Sequence, residues 1–328
     1  MGVSVKDHRG SSKHDEKIAI VGSGLMGRGI GQSFASAGYR VTLIDLNQKI
    51  LDFAIHQITS SLKILEKAGL LNGSVESVLS RISTGTELSR GVSGSSYVFE
   101  AVFENIDVKQ DVFKRVEASV SPATIIASNT TAIPISSIAT VTIHPERIVG
   151  AHFWNPPQLV QAVEVTKGNK TSSNTIEKIV SILQSIGKRP AVVNKDVPGQ
   201  IGIRILYAMI REATWIVENG IASADDIDSV VKEAIGTRLE VVGPLELSDL
   251  SGIDLVESVA RILYKSLDSS QGPQEFVENM VKRGELGVKS GKGFYDWKND
   301  RNAQETIKLR DGHLIEILKE KKGSKGSS

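Results

Sequence analysis

Residues 17–44 set the pattern for the first half of the chain. Lys17–Val21 (KIAIV) is a short apolar run stopping at glycine, which predicts a buried strand of a parallel sheet. Met26–Ala37 repeats apolar positions at helical spacing and halts at Gly38, and Tyr39–Ile44 is apolar again up to Asp45. Strand, helix and strand make a βαβ unit of about thirty residues. Beyond it, helical spacing covers Gln48–Ala68, Val75–Leu79, Val108–Val120 and Thr175–Ile186. Ser96–Glu100, Thr124–Ala127, Ile148–His152, Gln161–Thr166 and Pro190–Val193 read as strands. This alternation predicts an α/β fold, a doubly wound and mostly parallel sheet.

After Asp196-Val197-Pro198-Gly199 the strand pattern vanishes. Helical runs at Ile201–Asn219, Ser223–Ile235, Pro244–Leu250, Asp254–Leu267 and Pro273–Lys282 predict a second, all-α domain, and Ser223 with Asp226 forms a partial capping box. The expected division is a disordered polar arm at 1–15, a sheet domain at 16–197, a helical domain at 198–300, and a polar extension at 301–328 with a solvated, disordered end. A chain of 328 residues is longer than one core usually supports, which agrees with two domains.

Charge and composition mainly exclude. The net charge of +1 argues against nucleic acid or an anionic membrane as partner. Without cysteine there is no disulfide, thiolate metal site or cysteine nucleophile, and no metal is expected. No run of about eighteen apolar residues suggests a membrane span, and the polar arm lacks the apolar core of a signal peptide. A cytoplasmic protein is the default.

The chemistry begins at Gly22-Ser23-Gly24-Leu25-Met26-Gly27, a GxGxxG hexapeptide between the first strand and helix. Gly22 permits the tight turn, Gly24 lets the backbone approach a pyrophosphate, and Gly27 allows close packing of helix on strand. The N–H groups that open the helix, at Leu25 and Met26, would face the phosphates. Asp45 closes the second strand, where a carboxylate can accept hydrogen bonds from an adenosine ribose. Its charge would repel a 2′-phosphate, and Leu46-Asn47-Gln48 offers no arginine, so NAD is favoured over NADP. A Rossmann-like domain follows from this motif in this setting.

A second stretch, GAHFWNPP (150–157), carries a strand into a turn, and the next strand contains Val163-Glu164-Val165. His152 and Glu164 can meet across the hairpin. A carboxylate on one imidazole nitrogen fixes the tautomer and leaves the other free to take a hydroxyl proton. Spacing alone leaves open a purely structural histidine.

With these motifs in hand the chain resembles the L-3-hydroxyacyl-CoA dehydrogenase family, from about residue 17 to 298. The resemblance rests on GSGLMG, VFEAVFENIDVKQDVF (98–113), SNTTAIPI (128–135), GAHFWNPP, VEV, KDVPG (195–199), GPLELSDLSGID (243–254) and GVKSGKGFYDW (287–297). It implies His152 as base and Glu164 as its partner. It implies cofactor contacts at Glu104, Lys109, Asn155 and Lys289, positions otherwise read as surface charges and a turn residue. Thr131 stands at a position where the family usually has serine, and would touch substrate and nicotinamide. Ser61 matches a CoA contact. A homodimer, a small-molecule acyl-CoA substrate and a role in fatty-acid metabolism are also implied.

Two departures weaken the substrate side. Ile203 stands where the family usually has asparagine, and Gln200, three residues earlier on the expected helix, would supply the missing amide. Ala68 stands where a CoA-contacting lysine is expected, with Lys67 beside it. Asn155-Pro156-Pro157 and Gly236-Thr237-Arg238 also resemble branches that act on gulonate, carnitine or pyridine carboxylates. Three readings stand: a 3-hydroxyacyl-CoA dehydrogenase, a dehydrogenase of a free 3-hydroxy acid or alcohol, and a catalytically weak NAD-binding protein.

Overall fold

A computed structural model describes residues 16–324. The arm at 1–15 and the last four residues lie outside the described residues. Of the described residues, those up to Ile203 with Leu309–Ser324 form one compact unit, and Arg204–Lys308 form another.

The first unit is built on eight strands: β1 (Lys17–Val21), β2 (Arg40–Ile44), β3 (Ile82–Gly85), β4 (Tyr97–Glu100), β5 (Ile125–Ser128), β6 (Ile148–Phe153), β7 (Ala162–Thr166) and β8 (Arg189–Val193). They lie in the order β3-β2-β1-β4-β5-β6-β7-β8, parallel except where β7 runs against β6. The chain reverses direction in the sheet between β1 and β4, and ligands of such sheets bind outside the carboxyl ends of the strands at that point.

Helices α1 (Leu25–Ser36), α2 (Gln48–Lys67), α3 (Val75–Leu79), α4 (Leu88–Val92), α5 (Ile106–Glu117), α6 (Ile135–Ile138) and α7 (Ser173–Ser185) cover the two faces. Ile30 and Phe34 of α1, Leu51, Ile58 and Leu62 of α2, and Ile179 and Leu183 of α7 bury against one face. Val112, Phe113 and Val116 of α5 pack on the other with Ile135 and Ile138. Strands β1, β4, β5 and β6 are buried almost throughout, as covering on both faces requires.

Strand β3 was not expected. Its sequence, ISTG, has a polar exposed middle and no apolar run, and it is a strand because it completes the sheet edge beside β2. Several polar groups secure the frame. Asp196 accepts from the backbone N–H groups of Ile135 and Ser136 and so caps α6.

Lys188, between α7 and β8, is 7% exposed, and its ammonium donates to the carbonyls of Pro157 (2.5 Å) and Val160 (2.8 Å). Burial pushes it down to about 8. The folded state therefore binds its proton less tightly than the unfolded chain, where a lysine titrates near about 10.4. Stability contributed at this site should be lowest below pH 8 and rise by about 3 kcal/mol up to pH 10.5. Subtracting the stability of Lys188→Met from that of the wild type, by urea unfolding at each pH, isolates the effect. A difference that stays flat across that window would refute it.

The second unit contains most of α8 (Gly202–Glu218), then α9 (Ala224–Val230), α10 (Thr237–Leu239), α11 (Pro244–Ser251), α12 (Ile253–Leu263) and α13 (Glu275–Lys282). The run expected as one helix over 223–235 instead passes into a π-helical segment at Val231–Gly236. Leu255, Val259 and Ile262 form an exposed apolar stripe on α12.

The C-terminal extension departs most from expectation. Ala303–Ser324 forms a helix, α14, that returns to the first unit, where Leu314, Ile315 and Leu318 pack with Leu65, Ala68, Leu70, Leu71 and Leu159. Three apolar residues on one face dock a helix that is otherwise largely charged and polar.

Candidate active site

The glycine loop has the shape its sequence implies. Gly22 takes φ +93°, and a Cβ there would stand 2.6 Å from the carbonyl oxygen of Ala101. A Cβ on Gly27 would stand 1.7 Å from the carbonyl oxygen of Gly22, so α1 packs closer to the loop than any side chain allows. A Cβ on Gly24 would meet no protein atom within 4 Å, so this face of the loop is open to a ligand. No side chain caps α1 and no acidic residue occupies its first turn, which leaves the positive end of the helix for an anion. Leu25 in that turn is exposed and Met26 half-buried. Asp45 follows β2 and accepts from the backbone N–H of Ser23 (2.7 Å), which ties the end of β2 to the loop. These residues fit a dinucleotide.

Next to the loop, three polar groups interlock. Glu100, at the end of β4, is fully buried and accepts from the backbone N–H of Val102 (2.7 Å), the ammonium of Lys109 (2.8 Å) and the hydroxyl of Ser128 (2.6 Å). Lys109 also lies 3.3 Å from Glu104. Glu104 in turn accepts from the Thr130 hydroxyl (2.6 Å) and from the N–H groups of Thr131 (2.9 Å) and Ala132 (2.8 Å). Burial pushes the Glu104 carboxyl up, but these hydrogen bonds and Lys109 outweigh it and hold the group below its usual range.

Lys109 is thus neither a surface charge nor exposed to a ligand. At 1% exposure its ammonium is spent on two carboxylates, so the expected direct cofactor contact gives way to bracing. Lys109→Met would strand a buried carboxylate and should cost about 3–5 kcal/mol in urea unfolding. A loss under about 1 kcal/mol would show that the network contributes little.

The hairpin of β6 and β7 pairs His152 directly with Glu164. His152 Nδ1 and Glu164 Oε2 are 3.1 Å apart, and both residues are 5% exposed. The other carboxylate oxygen accepts from the backbone N–H groups of Ile201 and Gly202, both at 2.8 Å. Burial raises the Glu164 carboxyl, and the bonds from His152, Gly202 and Ile201 more than reverse this and keep it low, hence charged. His152 Nε2 makes no hydrogen bond within the described protein. The Trp154 ring packs edge-on against the imidazole at 5.2 Å. Asn129 steadies the same strand end by accepting from the N–H of Phe153 (2.8 Å). Asn155 follows on an exposed turn.

Other expected residues fare differently. Thr131 is half-buried, and its N–H, not its hydroxyl, is engaged. Gln200 does not share a helix face with Ile203. It sits in the preceding turn with φ +51°, and its amide N–H donates to the Thr130 carbonyl (3.0 Å). The donor meant for a substrate is used to brace the 128–133 loop. The Ser61 hydroxyl accepts from Gln32 (3.0 Å), and Ala68 lies under α14. Lys289 is exposed in a turn of the second unit. Glu100, Asn129 and Asp196 were not singled out in the sequence. A carboxylate ending an otherwise apolar strand, as in YVFE, was the available signal. Among the described residues, no group of three or more His, Cys, Asp or Glu could hold a metal ion, and no helix is long and apolar enough to cross a membrane.

A glycine loop shaped for a dinucleotide and a buried histidine–carboxylate pair are the features expected of a nucleotide-dependent dehydrogenase, and known proteins were compared on that basis. Residues 17–197 match the family model described as 3-hydroxyacyl-CoA dehydrogenase, NAD binding domain, and residues 199–297 match 3-hydroxyacyl-CoA dehydrogenase, C-terminal domain. A probable 3-hydroxybutyryl-CoA dehydrogenase of Deinococcus radiodurans is 37% identical, over 86% of this chain and 100% of that one. Among solved structures, the NAD+-dependent dismutase 5-formyl-3-hydroxy-2-methylpyridine 4-carboxylic acid 5-dehydrogenase superposes with a TM-score of 0.86 at 32% identity, covering 92% of this chain and 97% of that chain. The (S)-3-hydroxybutyryl-CoA dehydrogenase of Ralstonia eutropha gives 0.72 at 34% identity, covering 86% and 98%.

The chain belongs to the 3-hydroxyacyl-CoA dehydrogenase family of oxidoreductases, and its cofactor is NAD.

Proposed function

We propose that this protein oxidises the hydroxyl group of a 3-hydroxy acid or its derivative, with His152 as general base. The observation that carries this reading is the buried 3.1 Å contact between His152 and Glu164. Bound NAD supplies the hydride acceptor. Glu164 keeps the Nδ1 proton in place and stabilises the imidazolium, while Nε2 takes the hydroxyl proton. In reduction the same nitrogen returns it to the forming alkoxide. Such proton transfer contributes roughly 10²–10⁴-fold in rate. Gly22, Gly24, Leu25, Met26, Gly27 and Asp45 hold the dinucleotide, and Thr131 and Asn155 contact the reacting end of cofactor and substrate. Glu104, braced by Lys109, shapes the loop that carries Thr131.

Between a CoA thioester and a free acid, the geometry favours the free acid. Of the two positions matched to CoA contacts, the Ser61 hydroxyl accepts from Gln32, and Ala68, standing in place of the expected lysine, brings no charge for a phosphate. The higher superposition score, to a pyridine-carboxylate enzyme, supports the same reading. The thioester reading keeps the support of relatives named for it. A homodimer formed through the α12 stripe accords with its exposed leucine, valine and isoleucine.

The assay follows NADH absorbance with acetoacetyl-CoA in one arm and a panel of free 3-keto acids, aliphatic and aromatic, in the other. Consumption with the free acids is expected. Consumption with acetoacetyl-CoA alone would overturn the substrate assignment. NADH binding without turnover in either arm would overturn the reaction and leave a catalytically weak binder.

A further inference from the structure

The first unit has a second recess away from the glycine loop. A cavity of about 590 Å³ lies among the C-terminal ends of α1 and α2, the turn from α7 into β8, and α14. That is within the size range of small-molecule sites. Its wall includes three cations, Arg81, Lys188 and Lys322, and no aspartate or glutamate. Backbone carbonyls, not carboxylates, steer each of them. Arg81 donates to the carbonyl of Ala35 (3.2 Å), Lys322 to that of Gly69 (3.0 Å), and Lys188 to those of Pro157 and Val160. None of the three forms an ion pair with a described residue.

Lys188 is the decisive group. A buried ammonium is normally compensated by a counter-charge. Two carbonyls satisfy two of its three N–H groups, and the ammonium makes no third hydrogen bond to a described residue. Two further cations share the cavity wall, so a single monocarboxylate would leave most of the charge uncompensated. Leu71 and Leu318 add an apolar wall beside the charged one. Lys322 and Leu318 come from α14, beyond residue 297, where the family match ends.

We propose that this cavity is a second ligand site, separate from the dinucleotide loop, that takes a small dianion of the phosphate-ester class with its anionic head on Lys188, Arg81 and Lys322. Planar guanidinium and point-like ammonium groups together suit a tetrahedral phosphate. An occupant would also bear on the turn between His152 and Glu164, because Lys188 holds Pro157 and Val160 and Gln158 lines the cavity. The inference does not depend on turnover.

The test is calorimetric titration of glycerol 2-phosphate, a phosphate monoester dianion, into the full chain already saturated with NADH, which fills the glycine loop, at physiological salt. One site per chain is expected in the wild type. Affinity should fall at least tenfold in Arg81→Gln/Lys322→Gln, with NADH affinity unchanged. Lys188→Met should lose binding as well. Should Lys188→Met fail to fold, Lys322→Gln alone, altering only an exposed side chain, still has to weaken binding. No heat from glycerol 2-phosphate with the wild-type NADH complex, or equal affinity in wild type and the double variant, overturns the proposal. Because the readout is binding, these results are distinguishable from a failure of the dehydrogenase assay.

Discussion

Asparagine at position 152 will slow hydride transfer by about 10²–10⁴-fold while leaving NADH affinity unchanged. The expectation follows from what the imidazole touches. Nδ1 is committed to Glu164 at 3.1 Å, and Nε2 is left without a partner in the described protein. Asparagine can keep a hydrogen bond to the carboxylate, so the hairpin should stay folded, but it cannot accept a proton near neutral pH. The fold-change is best read in a single turnover, which separates the chemical step from release of product. The loop that binds the dinucleotide lies on other elements, β1, α1 and the end of β2, so titration of NADH fluorescence should not distinguish variant from wild type. A His152→Asn protein with an undiminished single-turnover rate would mean that another group accepts the proton.

Alanine at position 27 will weaken NADH binding by roughly tenfold to a hundredfold, about 1.4–2.7 kcal/mol, and will lower thermal stability. The added methyl group would lie 1.7 Å from the Gly22 carbonyl oxygen, a backbone atom that cannot swing aside. Helix α1 has to lift from the loop, and the N–H groups at its start then move away from the pyrophosphate. Gly24→Ala is the informative companion. Its Cβ meets no protein atom, so its melting temperature should match the wild type while its NADH affinity falls, because the methyl group projects where a ligand must approach. Normal NADH affinity in Gly27→Ala would refute the steric account.

Much of the architecture was readable because buried parallel strands need continuous apolar runs. KIAIV and IVGAHF stand out from their surroundings for that reason. ISTG does not, because an edge strand takes its stability from one neighbour rather than from apolar faces. Helix α14 is hidden differently: Leu314, Ile315 and Leu318 sit in a short apolar run, LIEIL, flanked by charged residues, and only their partners on α2 and in the loop after it make them a core. The dyad was accessible through its spacing, since a hairpin aligns His152 with Glu164. Glu100 is marked only as a carboxylate ending the apolar strand YVFE, with no sign of the lysine nine residues on that neutralises it. Gln200 departs from expectation because helical spacing from Ile203 is extended back to it, whereas a left-handed turn there redirects the side chain.

Where the recombinant chain is cut will matter. A version shortened to the family's own limits, stopping at residue 297, would strip Leu65, Leu70, Leu71 and Leu159 of the side chains that shelter them. The newly bared leucines would make such a fragment adhesive and prone to precipitate, however intact its glycine loop and histidine. Expression of the whole chain, with any purification handle ahead of β1, avoids that outcome.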